Sequence, residues 1–346
     1  MRAQRDQDNH DKWHAGWQGK RVGSGEERDG VPLTHLDEPL FDRSGATKRD
    51  LIDYLDAVCD VILPGLEQRP LSVIRVRLGT APFMQKNVPK YTPDWIRTVP
   101  VWAEASKREI SYALCDDRRT LLWFANQRAV EYHPTLERVD APHWQTHLVL
   151  DLDPPEGADF ATVVAAAHLV RQALVNDGLD GAVKTSGAKG VHVFVPVDEQ
   201  TTIEEVAAAS RALAARAERI DPAMATTAYI REERGGKVFL DSTRSGGATV
   251  AAAYSPRVRP GVPVSFPVRW DDLDSVKPAD FTIHTAADLL GGRNVWREQL
   301  PPPQRLPADL IDEGRTIPIA RVVAMHEGKR RAREARQAED GPAPDS

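Results

Sequence analysis

Two segments of this sequence place acidic side chains where strands are expected to end. In HLVLDLDPPEG, at residues 147–157, leucines alternate with Asp151 and Asp153. Successive side chains on a strand point to opposite faces, so the two carboxylates share one face. Paired carboxylates repel each other unless a cation neutralises them, and hard divalent ions such as Mg²⁺ and Mn²⁺ prefer oxygen ligands. The pair therefore predicts a metal site.

The segment KVFLDSTR, at residues 237–244, repeats this arrangement with Asp241. Phe239 and Asp241 share one strand face, while Val238 and Leu240 share the other. Three acids at the ends of two strands suit metal-dependent phosphoryl transfer. An isolated Asp-x-Asp is more often a solvated acidic pair, so this interpretation depends on a further segment.

That further segment is KTSGAKGVHVFVPV, at residues 184–197. The valines of its second half predict a buried strand face, which leaves His192 on the opposite face. Ahead of them, a glycine-containing turn is expected to carry Lys184, Ser186 and Lys189. Such a turn can direct backbone N–H groups and ammonium charges at phosphate oxygens, although an ordinary hairpin turn has the same composition. A phosphate-binding turn beside three acids predicts a nucleotidyltransferase.

Together, DLDP, TSGxKGxHVxVP and VFxD resemble the polymerase domain of the bacterial ligase D group, in the archaeo-eukaryotic primase superfamily. The resemblance runs from about residue 34 to about residue 292. No Lys-x-Asp-Gly motif of an adenylated lysine occurs in the chain, which favours the free-standing members of the group over the ligase fusion. The upstream segments that match are THLDEPLF (34–41), TKRDLIDYLDAV (47–58), RPLSVIRVR (69–77), PFMQKNVP (82–89) and EYHP (131–134).

The resemblance implies an α+β fold of mixed α/β type, the primase-polymerase fold. A catalytic sheet like that of the RNA-recognition motif would pack against a second, β-rich N-terminal sheet. We expect a flexible arm over residues 1–30, a catalytic domain over 31–300 with subdomains of about 31–140 and 141–300, and a C-terminal extension with a charged flexible tail over 301–346. A basic helix that touches DNA is the alternative for that tail. Residue patterns predict helices at 44–66, 158–176 and 202–219, and strands at 71–78 and 120–132.

The resemblance also implies roles for single residues. Asp151 and Asp153 would bridge two ions, Mn²⁺ in preference to Mg²⁺, and Asp241 would bind the catalytic ion. Arg244 replaces the glutamine usual in the family and is expected to grip the triphosphate. Lone arginines and histidines are usually solvated or structural, so a structural role stays open for several of these positions. The residues expected to contact the incoming nucleotide are Ser186, Lys189, His192, His133, Arg234, Arg244 and Arg257.

DNA contacts are where the sequence departs most from the family pattern. The family commonly has two aromatics where this chain has Phe83 and Met84, just before Lys86. Phe83 is expected to stack on a template base, and Lys86 to bind DNA. The family pocket for a downstream 5′ phosphate uses two lysines, and this chain has Glu38 and Lys48 at those positions. Because an acid repels a phosphate dianion, the sequence predicts a weakened pocket.

Composition limits the class of protein. The chain has 346 residues with 51 acidic and 45 basic side chains, so it is not a simple DNA-coating protein, although a local basic groove remains compatible. No apolar run approaches the roughly 20 residues of a membrane span, and no signal peptide is evident. Cys59 and Cys115 lie in apolar runs, which predicts free thiols in a reducing cytosol. We expect a cytoplasmic monomer associated with the nucleoid.

These features predict a template-dependent polymerase that adds NTPs or dNTPs to a primer 3′ hydroxyl and fills short gaps in DNA repair. A separate ATP-dependent DNA ligase and the Ku end-binding protein are the expected partners, beside gapped or primed DNA. A primase that starts strands de novo shares the same motifs, and an end-joining polymerase is a further alternative. The acids disfavour a non-catalytic end-binding scaffold for a ligase, and the phosphate turn disfavours a metal-dependent nuclease.

Overall fold

The computed structural model describes residues 25–103 and 107–319. Most of the predicted N-terminal arm and the charged tail from residue 320 lie outside these ranges, as does any basic helix in that tail. The first strand, at residues 27–28, falls inside the segment predicted as the arm. No helix in the described ranges is both long enough and apolar enough to cross a membrane.

The strands of the described residues form a six-stranded sheet, a five-stranded sheet and two small hairpins. In chain order they are β1 (Glu27–Arg28), β2 (Val31–Pro32), β3 (Leu71–Arg75), β4 (Phe83–Gln85), β5 (Thr98–Ala103), β6 (Arg108–Ala113), β7 (Ala129–Pro134), β8 (Glu137–Arg138), β9 (Ala141–Gln145), β10 (His147–Asp153), β11 (Ala182–Thr185), β12 (Val191–Pro196), β13 (Ala225–Thr226), β14 (Val238–Asp241) and β15 (Pro267–Val268).

The described residues also form α-helices, which are numbered here in chain order. They are α1 (Lys48–Ala57), α2 (Cys59–Ile62), α3 (Arg118–Asn126), α4 (Phe160–Asn176), α5 (Ile203–Ile220), α6 (Ala286–Leu290), α7 (Val295–Gln299) and α8 (Ala308–Thr316).

The six-stranded sheet positions the candidate site. Its strand order is β13-β14-β10-β12-β11-β15, and β10 is antiparallel to both of its neighbours. Leu148, Leu150 and Leu152 are completely buried on the face that α4 and α5 cover. The opposite face carries the acids of β10, as the alternating sequence predicts. The helices thus cover one face of the sheet, and the acids lie on its other face.

The five-stranded sheet has the order β4-β3-β6-β5, with β7 paired to the other side of β3. Helices α1 and α3 pack on each other and belong to the same hydrophobic core as the sheet. That core continues without a break into the six-stranded sheet. The Tyr54 hydroxyl of α1 donates to the carbonyl oxygen of Tyr254 at 2.8 Å and so joins the two parts. The mixed α and β architecture with two sheets confirms the predicted fold class.

The sequence patterns located most elements and failed at one. Helices predicted at 158–176 and 202–219 correspond to α4 and α5, and α5 begins with the expected capping box of Thr202 and Glu205. The strand predicted at 120–132 is wrong, because α3 occupies 118–126 and only then does β7 begin. Asp117 caps α3 by accepting from the Thr120 N–H, and most of the helix is buried, so its apolar run looked like a strand. Cys59 and Cys115 are free and buried, as predicted.

Candidate active site

The carboxylates predicted as metal ligands lie next to one another on neighbouring strands. Asp151 of β10 is directly opposite Asp241 of β14, and Asp153 is opposite Phe239. Residues that face each other in an antiparallel pair have Cβ atoms about 4.5–5.5 Å apart. Asp151 and Asp241 are buried, whereas Asp153 reaches solvent where β10 ends, although protein surrounds much of its carboxyl group. The structure therefore brings together the three acids that the sequence placed at two strand ends.

The three carboxyl groups differ in how well their negative charge is compensated. Burial, followed by the charges of Asp151 and Asp241, raises the pKa of Asp153 from its ordinary value of 3.8 to about 6. Burial also opposes ionisation of Asp151, but the interaction with His192, followed by the charge of Arg244, outweighs it and holds the pKa of Asp151 well below the ordinary value. Asp153 therefore gains more than Asp151 from an additional cation at this site.

A divalent cation fits the chemistry of these donors. The three acids offer carboxylate oxygens on adjoining strands, the ligand type that hard divalent ions prefer. Within residues 25–103 and 107–319, however, no three His, Cys, Asp or Glu side chains are already arranged as a metal site. Arg244 lies between two of these acids: its Nε lies 3.1 Å from Asp151 Oδ2 and 3.6 Å from Asp241 Oδ2. An ion that binds between these acids must displace the guanidinium.

The predicted phosphate-binding turn connects β11 and β12 and packs against β10. The Ser186 Oγ accepts two backbone N–H groups of the turn, at 3.2 and 3.1 Å. Gly187 has a φ of +68°, and a Cβ there would lie 2.6 Å from Cγ of Arg257. A Cβ on Gly190 would lie 2.4 Å from the carbonyl oxygen of Leu152. Both glycines are therefore required by close contacts, and those contacts fix the turn beside the acids of β10.

Lys189 stands on this turn and lines a cavity of about 870 Å³. Arg259 and Lys277 line the same cavity, together with mostly apolar surface. Asp159 and Asp274 also line the cavity, so three cationic and two acidic side chains surround the open space beside the turn.

Lys184 does not belong to the turn, contrary to the sequence-based expectation. It is a residue of β11 and its side chain is completely inaccessible to solvent. Its Nζ donates to Ser265 Oγ at 2.5 Å and lies 2.8 Å from His192 Nδ1. The Ser265 hydroxyl donates to the Thr185 carbonyl oxygen at 2.8 Å, so Lys184 must be the donor in their contact. Lys184 is thus a buried structural side chain rather than a group that faces phosphate.

His192 links this buried lysine to the acids. Its Nε2 lies 3.1 Å from Asp151 Oδ1, and burial, followed by the Lys184 charge, lowers the pKa of His192 to about 4. A neutral imidazole has one N–H. Here it lies at Nε2 and donates to the carboxylate of Asp151, so Nδ1 accepts a hydrogen bond from Lys184. Both ring nitrogens therefore have protein partners, and His192 orients Asp151. The contact with the triphosphate that the sequence assigned to His192 stays a prediction.

His133 of β7 belongs to a second buried cluster. Its Nε2 lies 2.8 Å from Glu131 Oε2, and Arg257 Nε lies 3.0 Å from the same oxygen. Arg257 also donates from Nη1 to the Ser186 carbonyl oxygen at 2.7 Å. Glu131 therefore connects the predicted nucleotide-binding residue His133 with the arginine that braces the turn. The structure brings these residues together around one carboxylate.

Arg234 adopts a structural position close to the acids. Its guanidinium carbon lies 3.8 Å from the centroid of the Phe239 ring. Its Nε and Nη2 donate to the carbonyl oxygens of Ala228 and Tyr229 at 3.2 and 3.1 Å. Its positive charge lowers the pKa of Asp153 but does not outweigh the effect of burial. Contact between Arg234 and a nucleotide remains a prediction.

Two of the residues expected to bind DNA, Phe83 and Lys86, lie on or next to β4 of the five-stranded sheet, whereas the acids lie on the other sheet. Phe83 and Met84 are exposed on β4, and Lys86 is exposed just after it. The guanidinium carbons of Arg75 and Arg77 lie 5.7 and 5.6 Å from the centroid of the Phe83 ring. An exposed ring flanked by arginines can stack on a base while the cations attract the phosphate backbone.

The region around Lys48 differs most from a phosphate pocket. Lys48 is buried and donates from Nζ to the Thr34 carbonyl oxygen at 2.5 Å. Burial, followed by the charge of Arg128, lowers its pKa to about 8. Glu38 accepts from Arg128 Nη2 at 2.5 Å and lies 2.9 Å from His35 Nδ1. The carboxylate of Glu38 is therefore already the partner of Arg128 and His35, two groups that could otherwise bind a phosphate.

Sequence reasoning missed three contributors to these clusters: Glu131, Ser265 and Arg128. Glu131 carried a usable signal, since it lies two residues before His133 on the same face of one strand. Ser265 and Arg128 gave none, because their partners are 81 and 90 residues away in the chain. Only the folded structure brings them together.

Comparison with known proteins identifies the family. Residues 47–296 match the family described as "LigD, primase-polymerase domain". The chain is 34% identical over 265 residues to the bifunctional non-homologous end joining protein LigD of Bacillus subtilis, which covers 75% of this chain and 42% of that protein. It is 34% identical over 264 residues to the multifunctional non-homologous end joining DNA repair protein LigD of Mycobacterium tuberculosis, covering 73% of this chain and 34% of that one. The chain thus spans well under half of these relatives.

A solved structure matches as well. The polymerase domain of Mycobacterium tuberculosis ligase D, in complex with DNA, superposes with a TM-score of 0.72 at 32% sequence identity. The match covers 80% of this chain and 98% of that domain, so the shared part is the whole polymerase domain.

Proposed function

The chain belongs to the LigD primase-polymerase domain family, and on this premise we propose that it is a template-dependent polymerase that fills short gaps in DNA. It would add NTPs or dNTPs to a primer 3′ hydroxyl and release pyrophosphate. The observation that carries the proposal is the pairing of Asp151 with Asp241 across neighbouring strands, beside a glycine turn that packs on β10. Nucleotidyl transfer needs acids and a phosphate-binding turn close together, and both lie near the end of β10.

Dependence on a divalent metal follows from the family, and the finer assignment is ours. Asp151, Asp153 and Asp241 would hold two Mn²⁺ or Mg²⁺ ions, which supply activation of the primer hydroxyl and neutralisation of the leaving phosphates. The protein's own part is to fix the carboxylates. Asp151 is oriented by His192, whose second nitrogen is held by Lys184, so the acid cannot rotate freely. Such supporting hydrogen bonds are expected to tune metal affinity.

The turn and the cluster around Glu131 would position the nucleotide. Lys189 is free to reach phosphate oxygens from the turn, and Ser186 keeps the turn in shape. We propose that His133, in the EYHP segment that resembles the family, contacts the nucleotide sugar or base. Arg257 supports the turn through the Ser186 carbonyl oxygen and balances the Glu131 charge. These residues would bind and orient, and we assign none of them to proton transfer.

Contacts with DNA follow from the other sheet. We propose that Phe83 stacks on a template base and that Lys86 contacts a phosphate. Glu38 is already paired with Arg128 and His35, so discrimination for a downstream 5′ phosphate should be weak. That departure favours gap filling over dedicated end joining. A separate ligase and the Ku end-binding protein, in the cytoplasm at the nucleoid, would be its partners in repair.

The proposal is tested by primer extension on a gapped duplex with Mn²⁺, comparing NTPs with dNTPs. Wild type should extend the primer, and Asp151→Ala/Asp153→Ala should not. Extension by the double variant would contradict the assignment of the acids, and no extension by either protein would favour a non-catalytic scaffold. A primer-free template in the same assay distinguishes a primase, which starts strands de novo.

A further inference from the structure

Arg244 occupies the space between the acids of two strands. Its Nε lies 3.1 Å from Asp151 Oδ2 and 3.6 Å from Asp241 Oδ2, and these two residues face each other in the sheet. Among the described residues, Arg244 is the only arginine or lysine that forms an ion pair with Asp151 or Asp241. Asp151 has one further partner, His192. The guanidinium therefore places a single positive charge where the carboxylate oxygens would bind a divalent ion.

The backbone that carries Arg244 is fixed, while the side chain is not enclosed. Ser245 is completely buried, and its hydroxyl accepts from the Val149 N–H at 2.8 Å and donates to the Val149 carbonyl oxygen at 3.1 Å. Thr243 N–H donates to Asp241 Oδ1 at 2.8 Å. The side chain of Arg244 itself is 38% exposed. The guanidinium can therefore leave the acids by rotation of its own side chain, without movement of β14.

The other side of β10 shows where the guanidinium would go. The turn with Ser186 and Gly190 packs on β10 from the β12 side, and Arg244 approaches from the β14 side. A triphosphate bound by the turn would lie beside the end of β10, one strand away from Arg244. Phosphate oxygens are strong acceptors for a guanidinium, so they can replace the carboxylates as its partners.

We propose that Arg244 makes divalent-ion binding conditional on the nucleotide. Without nucleotide, Arg244 competes with the ion for Asp151 and Asp241, and a displaced guanidinium is left unpaired beside a divalent charge. With a triphosphate present, the guanidinium gains a new anionic partner and the competition ends. Ion and nucleotide then bind with positive coupling, and the coupling must be reciprocal. This inference rests on the proposed function, because it assumes that the acids hold ions and the turn holds a triphosphate.

The test is a Mn²⁺ titration followed by electron paramagnetic resonance of the free ion, without DNA and therefore without turnover. Wild type, Arg244→Gln and Arg244→Lys are compared, each with and without an α,β-methylene nucleoside triphosphate, and the free nucleotide's own affinity for Mn²⁺ is measured separately. Arg231→Gln is the control, since Arg231 pairs with exposed Glu156 on the surface. Allosteric couplings are typically about 5–150-fold, and the effect of Arg244 should fall in this range.

We expect Arg244→Gln to bind Mn²⁺ alone at least about 5-fold more tightly than wild type, and to gain less affinity when the triphosphate is added. Arg244→Lys should stay close to wild type. The melting temperature of metal-free Arg244→Gln should be lower than that of wild type, and Mn²⁺ should raise it more. Equal Mn²⁺ affinity in wild type and Arg244→Gln would overturn the inference alone. Failure of every protein to bind Mn²⁺, even with triphosphate, would overturn the metal site and the proposed function with it.

Discussion

Substitution of Gly190 by alanine should damage catalysis more than it damages stability. A Cβ at this position would lie 2.4 Å from the carbonyl oxygen of Leu152, where ordinary contact begins at 3.4 Å. The turn or β10 must therefore shift by about 1 Å. Because the contact is with a backbone atom, rotation of a side chain cannot relieve it. Leu152 lies between Asp151 and Asp153 in the chain, so the shift changes the distance between the turn and the acids.

The size of the two effects can be worked out separately. Overpacking of this kind typically costs about 1–3 kcal/mol of unfolding free energy. A misplacement of about 1 Å in an active site can cost roughly 100-fold in rate. We therefore expect Gly190→Ala to remain folded at 25 °C, with a lower denaturation midpoint and kcat/KM for nucleotide addition reduced about 100-fold.

Denaturant unfolding and steady-state primer extension on the same preparation measure both quantities. Gly65→Ala is the matched control, because its added Cβ meets nothing within 4 Å and its φ is not in the left-handed region. It should change stability by no more than about 0.5 kcal/mol and leave extension at the wild-type rate. A Gly190→Ala variant with wild-type extension would refute the claim that the turn and the acids must keep this separation.

Three further predictions concern the charged groups around the site. Lys184→Met leaves His192 Nδ1 without its hydrogen-bond donor, so we expect the unfolding free energy to fall by about 1–3 kcal/mol. The ¹⁵N chemical shifts that report the His192 tautomer should also change. Unchanged shifts would contradict the hydrogen-bond network. Since the pKa of Asp153 is raised to about 6 in the folded protein, above its ordinary value of 3.8, the metal-free protein should lose stability as the pH rises between these values. Asp153→Asn should remove that part of the pH dependence of the melting temperature, and parallel curves for the two proteins would argue against the raised pKa. Glu38→Lys should release Arg128 and His35 and so increase the ratio of extension on a 5′-phosphorylated gap to extension on an unphosphorylated gap. If this ratio equals that of wild type, Glu38 does not control the pocket.

The sequence predicted the acids well because strand alternation alone places them. Asp151 and Asp153 must share a face once β10 is a strand, and the leucines between them leave no other choice. The register that sets Asp151 opposite Asp241 was not predictable, since strand pairing depends on long-range contacts. The helix α3 was misjudged for a related reason: a mostly buried helix lacks the long polar stripe that distinguishes it from a buried strand.

The support of the site depends on partners that are distant in sequence. Lys184 looked like a solvated cation of the turn because the residues after it are turn formers. Its burial arises from Ser265, which is 81 residues away, and from the neighbouring strand that carries His192. Arg244 shows the same limit, since its ion pair with Asp151 spans 93 residues. Residue types could be read from the sequence, whereas the competition between Arg244 and a metal ion required the fold.

The central claim is that the acids of β10 and β14 form one metal-dependent active site. The most direct measurement is single-turnover incorporation of one nucleotide into a gapped duplex by Asp241→Asn, with Asp140→Asn as the control for loss of an exposed acid paired with arginine. The account predicts that Asp241→Asn stays folded, still binds the gapped duplex and incorporates no nucleotide, while Asp140→Asn incorporates at the wild-type rate. Incorporation at the wild-type rate by folded Asp241→Asn would contradict it.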